Sequence, residues 1–328
     1  MDAIAHYNVI EPIGTDGIGE MFRARDTKVG RTVALKIVGP QLAADPATLA
    51  RLLEDAALAA RLSHPNVATL WEFGEADGRT YLAYEFAAGR RLSDEAGGTA
   101  MPLRRALELA VQIADGVAEA HSLGVIHGDL RPDTIIVTAK GSAKILDFGM
   151  TQWTRGGAMR SAAGRDLDGL PADSANILGY LSPEQAIGSA VDVRTDVFSL
   201  GAITYELVTG RNPFVAATPS ATVMNVMKAQ PAPASDVNPA VPKELDGILA
   251  RALAPDIAQR QQSTAAFAAE LRSVASMLDV QTGDAQTSTE LLPIDDKPDR
   301  QAAGLLVGAL IAAAVAAGAV WWVLTHMR

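Results

Sequence analysis

The chain reads as an α+β protein of two unequal lobes followed by one apolar C-terminal helix. Three observations predict this. Short β-branched and aromatic runs fill residues 7–86, long amphipathic segments separated by Pro and Gly fill residues 87–278, and residues 302–324 carry no charge at all. A small antiparallel sheet with one helix therefore leads into a larger helical lobe. A polar tether then spans 279–301, and the last stretch is long enough to cross a membrane.

In the first lobe, strands are expected at Tyr7 to Ile13, Glu20 to Arg25, Thr32 to Val38, Val67 to Gly74 and Arg79 to Phe86, where residues that suit a pleated surface recur. One interruption, Pro46 to Leu62, is rich in Ala, Leu, Arg and Glu at helical spacing, with Asp45 placed to cap its start. After Gly89, helices are expected at Leu103 to Leu123, Val193 to Thr209, Lys243 to Ala254 and Thr264 to Leu278. Residues 279–301 are acidic, contain Gly283, Pro293 and Pro298, and have too little apolar surface to order themselves.

The chain has 328 residues, of which 48% are hydrophobic and 20% charged, which is the balance of a globular protein with a sizeable core. A formal net charge of -10 argues against a nucleic-acid partner, since neutralising backbone phosphates requires a basic face. There are no cysteines, so disulfides and thiolate metal sites are excluded. His6, His64, His121, His127 and His326 are too scattered to suggest a zinc pocket. Any metal is expected to be bound by oxygen.

Residues 1–8 contain an acid and no apolar run, so they do not resemble a secretory signal, and the globular part is expected in the cytoplasm. Residues 302–324, about 23 without a charge, can span a hydrocarbon core of about 30 Å, which makes the chain a C-terminally anchored single-pass membrane protein. A buried core helix is the competing reading, but little follows this segment to pack against it. Trp321 and Trp322 would sit at the interface. Gly304, Gly308, Ala312 and Ala316 form a stripe of small residues that would let two such helices approach, so a homodimer is expected as one option; Ala-rich segments also produce this spacing by accident.

Between Val125 and Gly149, Asp129 and Asp147 lie on turns that flank a short apolar hairpin. This layout suits phosphoryl transfer, in which one carboxylate receives a hydroxyl proton and another holds the metal that neutralises phosphates. Upstream, Ile13, Gly14, Gly17, Gly19 and Met21 belong to a glycine-bearing loop between two expected strands. Such a loop lets backbone amides approach phosphates, although an ordinary hairpin turn has the same composition. Lys36 lies within the apolar run Val33-Ala34-Leu35-Lys36, where an unpaired ammonium would be costly, so it needs an anionic partner.

These motifs, together with the spacing of about 18 residues between His127-Gly128-Asp129 and Asp147-Phe148-Gly149, make the chain resemble a bacterial eukaryotic-like Ser/Thr protein kinase over about residues 7 to 275. The resemblance implies a two-lobed fold that takes ATP with Mg2+ or Mn2+ and phosphorylates a protein substrate. It makes Asp129 the proton acceptor, Asp147 a metal ligand, and Asp55 the helix acid that pairs with Lys36. It gives Glu85 and Ala87 to the adenine edge, and Ala34, Met21 and Ile136 to the purine faces, with Tyr84 behind them. Gly179 to Gln185, Asp196 to Gly201 and an ion pair between Glu184 and Arg260 continue the likeness, and Asp129-Leu130-Arg131-Pro132 has the Ser/Thr style.

Several positions depart from the family. Asp55 stands where Glu is usual and is shorter by a methylene. Gly128 replaces the arginine beside the catalytic acid, which disfavours activation by loop phosphorylation. Thr134 replaces the second metal ligand, Arg131 replaces the lysine that steadies the transferred phosphate, Asp16 replaces the second loop glycine, and Ile177 replaces a threonine. All point to weakened catalysis, while Lys36, Asp129 and Asp147 are intact. A slow or ordinary kinase is the leading expectation, and a pseudokinase that binds nucleotide or a partner is the alternative.

Overall fold

The computed structural model describes residues 2–150, 153, 167, 170–171 and 174–287. The chain opens with β1 (Ala3–Ile4), β2 (Tyr7–Thr15), β3 (Gly19–Asp26) and β4 (Thr32–Val38). Two helices follow, the short α1 (Pro40–Ala43) and α2 (Pro46–Ala59), and then β5 (Leu70–Ala76) and β6 (Arg79–Glu85). The strands form one antiparallel sheet in the order β1-β2-β3-β4-β6-β5. Asp45 caps α2 by accepting from the Ala47 amide at 3.2 Å, and Pro46 supplies the preset first-turn φ, as the sequence predicts.

Alternation along β4 decides which side chains face which core. Val33, Leu35 and Ile37 join Tyr7, Tyr81 and Ala83 on one face of the sheet. The other face carries Ala34, Lys36 and Val38, and beneath it Leu52, Ala56 and Ala59 of α2 pack against Leu70, Leu82 and Tyr84. Period-two patterning therefore delivers Lys36 to the α2 side, where its polar end requires a partner.

A three-stranded sheet starts the second lobe: β7 (Gly89–Arg91) pairs with β8 (Ile135–Thr138), which pairs with β9 (Ala143–Ile145). It bears the apolar hairpin seen in the sequence. The helices are α3 (Leu92–Ala96), α4 (Leu103–Ser122), α5 (Ser174–Leu178), α6 (Pro183–Ala186), α7 (Val193–Thr209), α8 (Pro219–Lys228), α9 (Ala234–Val237), α10 (Lys243–Ala252) and α11 (Thr264–Thr287). Along α4 the stripe Leu107, Ala110, Ile113, Ala114 and Val117 is fully buried. α7 is buried almost all round, which makes it the axis of this lobe. Phe198 on α7 stacks on Phe214, with ring centroids 5.4 Å apart.

Both lobes lie within one compact unit, Met1–Asp279. α11 continues to Thr287, into the stretch whose composition predicts a tether. A helix already nucleated adds a hydrogen bond for each further residue, and the next proline is Pro293. Among the described residues no helix is long and apolar enough to cross a membrane. The expected membrane span, 302–324, and the small-residue stripe within it lie outside the described residues.

Candidate active site

Lys36 lies opposite Met21 on β3 and Leu82 on β6, in the middle of the sheet, and its side chain is 1% exposed. Its Nζ reaches Asp147 Oδ1 at 3.0 Å and Asp16 Oδ2 at 2.5 Å. Burial works against the ammonium charge, but Asp147 and Asp16 outweigh it and hold the lysine well above its ordinary value. Burial likewise acts to raise Asp147, and the charge and hydrogen bond of Lys36 reverse the sign, so Asp147 stays ionised. Asp147 adopts φ +60°, the left-handed conformation, at the turn into Phe148 and Gly149. The lysine and the metal-ligand candidate thus converge.

Asp55 does not pair with Lys36. Its carboxylate accepts from the indole Nε1 of Trp153 at 2.8 Å. Trp153 packs against the apolar cluster of α2 and the sheet, and so does the fully buried Met150. The expected Lys36–Asp55 pair is thereby replaced on both sides, since Asp16 takes the lysine and Trp153 takes the helix acid.

The glycine loop turns inward around Asp16. Asp16 Oδ1 accepts from the amides of Ile18 at 2.8 Å and Gly19 at 3.1 Å, while Oδ2 holds Lys36. Ile18 is 1% exposed and joins Met150 in the cluster under the sheet. Gly19 is required here, because a Cβ on it would lie 1.9 Å from the Ile37 carbonyl oxygen. Gly17 belongs to the same loop, whereas Ile13 and Gly14 lie at the end of β2, where Ile13 is exposed and Gly14 pairs with Met21 on β3.

Asp129 is buried in the turn before β8. Its amide donates to His127 Nδ1 at 3.2 Å, and His127 Nε2 lies 3.0 Å from the Leu146 carbonyl. The His127 ring meets Phe148 edge-on at 4.7 Å, which ties the two aspartate-bearing turns together. Asp196 of α7 accepts from the amides of His127 at 2.8 Å and Gly128 at 2.7 Å, so the central helix fixes the turn. Gly128 takes φ +69°, which a glycine adopts without strain.

Arg131 Nε stands 3.5 Å from Asp129 Oδ1, and its Nη1 bonds Asp133 at 2.7 Å. The candidate base and the cation beside it are therefore adjacent. Thr134 donates its hydroxyl to the Arg131 carbonyl at 2.9 Å and accepts from the Arg131 amide at 3.2 Å. The hydroxyl proposed as a metal ligand is thus already engaged in capping its own turn.

Between the lobes, the Glu85 carboxylate pairs with Lys144 of β9 at 2.7 Å and its amide donates to the Thr69 carbonyl at 2.8 Å. The Ala87 backbone makes no hydrogen bond among the described residues, which leaves it available to a ligand edge. Ala34 pairs with Tyr84 across β4 and β6, and Ile136 faces Arg91 on β7. The Tyr84 hydroxyl is buried with no hydrogen-bond partner among the described residues, and its ring lies 5.5 Å from Lys36 Nζ. Burial pushes this phenol far above its usual value. The Lys36 ammonium, the metal-ligand candidate Asp147, the candidate base Asp129 and the open Ala87 backbone form a chemically suitable set for a purine nucleotide with a hard cation.

The predicted Glu184–Arg260 pair is present and bidentate, with both contacts at 2.8 Å, and Thr195 adds a hydrogen bond at 2.7 Å. On α6, Ser182 and Gln185 form a capping box, and Gln185 Nε2 donates to the Gly128 carbonyl at 2.7 Å, joining this ion pair to the aspartate turn. Sequence reasoning assigned no role to Trp153, Met150 or Lys144. Nothing in local periodicity identifies them, since their partners lie on other elements. Asp16 was visible as a departure, but its contact with Lys36 was not.

The description "Protein kinase domain" matches residues 7–271. The chain is 33% identical over 274 residues to the serine/threonine-protein kinase PknB of Mycolicibacterium smegmatis, covering 81% of this chain and 42% of that protein. It is 32% identical over 280 residues to the serine/threonine-protein kinase pkn2 of Myxococcus xanthus, covering 83% of this chain and 33% of the relative. The chain therefore spans less than half the length of these curated relatives. Among solved structures, the PknI kinase domain of Mycobacterium tuberculosis matches with a TM-score of 0.62 and 26% identity, over 83% of this chain and 97% of that one. A family match across nearly all of the described residues, on a fold that brings Lys36 to Asp147 and fixes Asp129 beside Arg131, means that this chain belongs to the protein kinase family, among the bacterial Ser/Thr kinases.

Proposed function

We propose that this chain is an ATP-dependent Ser/Thr protein kinase that modifies protein hydroxyls, held to the membrane by residues 302–324 with its kinase lobes in the cytoplasm. The observation that carries the activity is the convergence of buried Lys36 on Asp147 at 3.0 Å, with Asp129 set beside Arg131 in the neighbouring turn. Relatives named as serine/threonine-protein kinases support the same reading.

In this reading Lys36 binds the phosphates of the substrate ATP, and Asp147 holds a magnesium or manganese ion, whose chemical contribution is to neutralise phosphate charge. Ala87 offers backbone groups to the adenine. Asp129 orients the acceptor hydroxyl and receives its proton, and Arg131 stabilises the transferred group as a planar cation in place of a lysine. Thr134 has its hydroxyl in the turn cap, so Asp147 carries most of the metal affinity. The test is label transfer from γ-labelled ATP, with magnesium or manganese, by the full chain beside Asp129→Asn. A fall of about 10²-fold or more in the variant supports the kinase reading, and equal label in both rejects it.

A second reading, a pseudokinase that binds nucleotide and signals without transfer, is favoured by the Asp16 and Trp153 contacts that separate Lys36 from Asp55. It expects stabilisation by ATP with magnesium and no transfer above the Asp129→Asn background. Anchoring by 302–324 rests on the apolar length of that segment, and self-association on its Gly304 and Gly308 stripe.

A further inference from the structure

The two devices that a phosphate would use at this site are both satisfied by one side chain. Lys36 Nζ is held by Asp16 Oδ2 at 2.5 Å, and the loop amides of Ile18 and Gly19 donate to Asp16 Oδ1 at 2.8 and 3.1 Å. A carboxylate and a phosphate oxygen compete for the same donors, because each is an anionic acceptor that binds ammonium and backbone N–H groups through charge-assisted hydrogen bonds. Three donors converging on one carboxylate therefore amount to an occupied anion site.

We propose that Asp16 is an internal phosphate surrogate: its carboxylate fills the position of a nucleotide phosphate between Lys36 and the glycine loop, so that nucleotide binds only by displacing it. This rests on the nucleotide-binding reading above and adds the residue that sets how strongly phosphates, as opposed to adenosine, contribute to affinity. The surrogate is built into the fold. The Gly39 amide donates to the Ile18 carbonyl at 2.7 Å, the Asp16 amide donates to the Gly19 carbonyl at 2.9 Å, and Ile18 is buried with Met150. When Asp16 leaves Lys36, Asp147 remains at 3.0 Å, so the ammonium is not stranded and displacement is feasible. Each phosphate-bearing ligand must overcome both the lost Asp16 contacts and the repulsion of a nearby carboxylate. Adenosine, which has no group for that position, does not. The penalty is specific to phosphate.

The test measures binding of adenosine, ADP and ATP to the full chain in detergent, for the wild type, Asp16→Asn and Asp16→Gly, by calorimetry with and without magnesium. Asp16→Asn keeps a side-chain acceptor for the loop amides and removes the charge, so a loop that merely loses its turn in Asp16→Gly is recognised by comparison. The expected result is ATP binding about tenfold tighter in both variants, the weight of one charge-assisted hydrogen bond, with adenosine affinity unchanged. Unchanged or weaker ATP binding in Asp16→Asn, with adenosine still bound, overturns the surrogate and leaves the nucleotide site standing. Loss of affinity confined to magnesium-containing samples would mean that Asp16 is a metal ligand, which also overturns it. Equal gains for adenosine and ATP would reduce Asp16 to a structural residue of the loop. Failure of all three ligands to bind any form removes the nucleotide reading itself, and the proposal with it.

Discussion

At the scale of single residues, charge is placed where desolvation is tolerable because a partner is fixed. Arg260 has a side chain that is fully buried, and Glu184 is 11% exposed, so this pair is held by its bidentate geometry and by Thr195. Removing one partner leaves a buried charge uncompensated. Arg260→Ala is therefore expected to destabilise the protein by about 3–5 kcal/mol, measured by urea unfolding. Burial acts to raise the Glu184 carboxyl, and the hydrogen bonds from Arg260 and Thr195 outweigh it, holding the group below its ordinary value of 4.5. The sign follows from proton uptake. Below 4.5 the unfolded chain binds a proton at this position that the folded chain still refuses, so the contribution of the pair is complete above 4.5 and is lost as pH falls through the lower folded value. Unfolding midpoints measured below pH 4.5 are expected to fall less steeply in Glu184→Gln than in the wild type; an identical slope would refute this assignment.

At the scale of elements, α2 is positioned by what it packs against as well as by its own sequence. Leu52, Ala56 and Ala59 dock under the sheet, and Trp153 and Met150 fill the same cluster from the turn after Gly149. The indole bond to Asp55 holds the helix acid away from Lys36. Trp153→Phe keeps the ring and removes the donor. It is expected to weaken the hold on Asp55 and to raise the initial rate of label transfer by about tenfold, the range for one hydrogen bond to a charged group. A lower rate in Trp153→Phe would mean that the indole supports the productive arrangement of α2. The strands need no such help, since the alternation in Val33 to Val38 alone fixes which face meets the site.

At the scale of the whole molecule, the described unit Met1–Asp279 holds both lobes, and the membrane reading rests on composition beyond Thr287. Alkaline carbonate extraction of cell membranes is expected to leave the full chain in the pellet and to release a chain truncated after Thr287. Release of both would reject the anchor. If the small-residue stripe joins two copies, energy transfer between tagged full chains in a bilayer falls when Gly304 and Gly308 are both changed to leucine, and an equal signal in both forms rejects the dimer.

The sequence by itself determined the two-lobed class, most strand and helix positions to within a few residues and the glycine loop, and it singled out Lys36, Asp129 and Asp147 as candidates. The elements are written in local period and turn chemistry, which survive without three-dimensional context, whereas the candidates and the Glu184–Arg260 pair follow from motif spacing and the family resemblance it supports. The short strands β1 and β7 carry too few residues for their patterns to stand out. Only the tertiary structure decided the partners of Lys36. Burying an ammonium under the sheet demands carboxylates, but which carboxylates answer depends on the curl of the loop at Asp16 and on the chain after Gly149 delivering Trp153 to Asp55. Those contacts join residues 20 and 98 positions apart, and no local pattern encodes such a meeting.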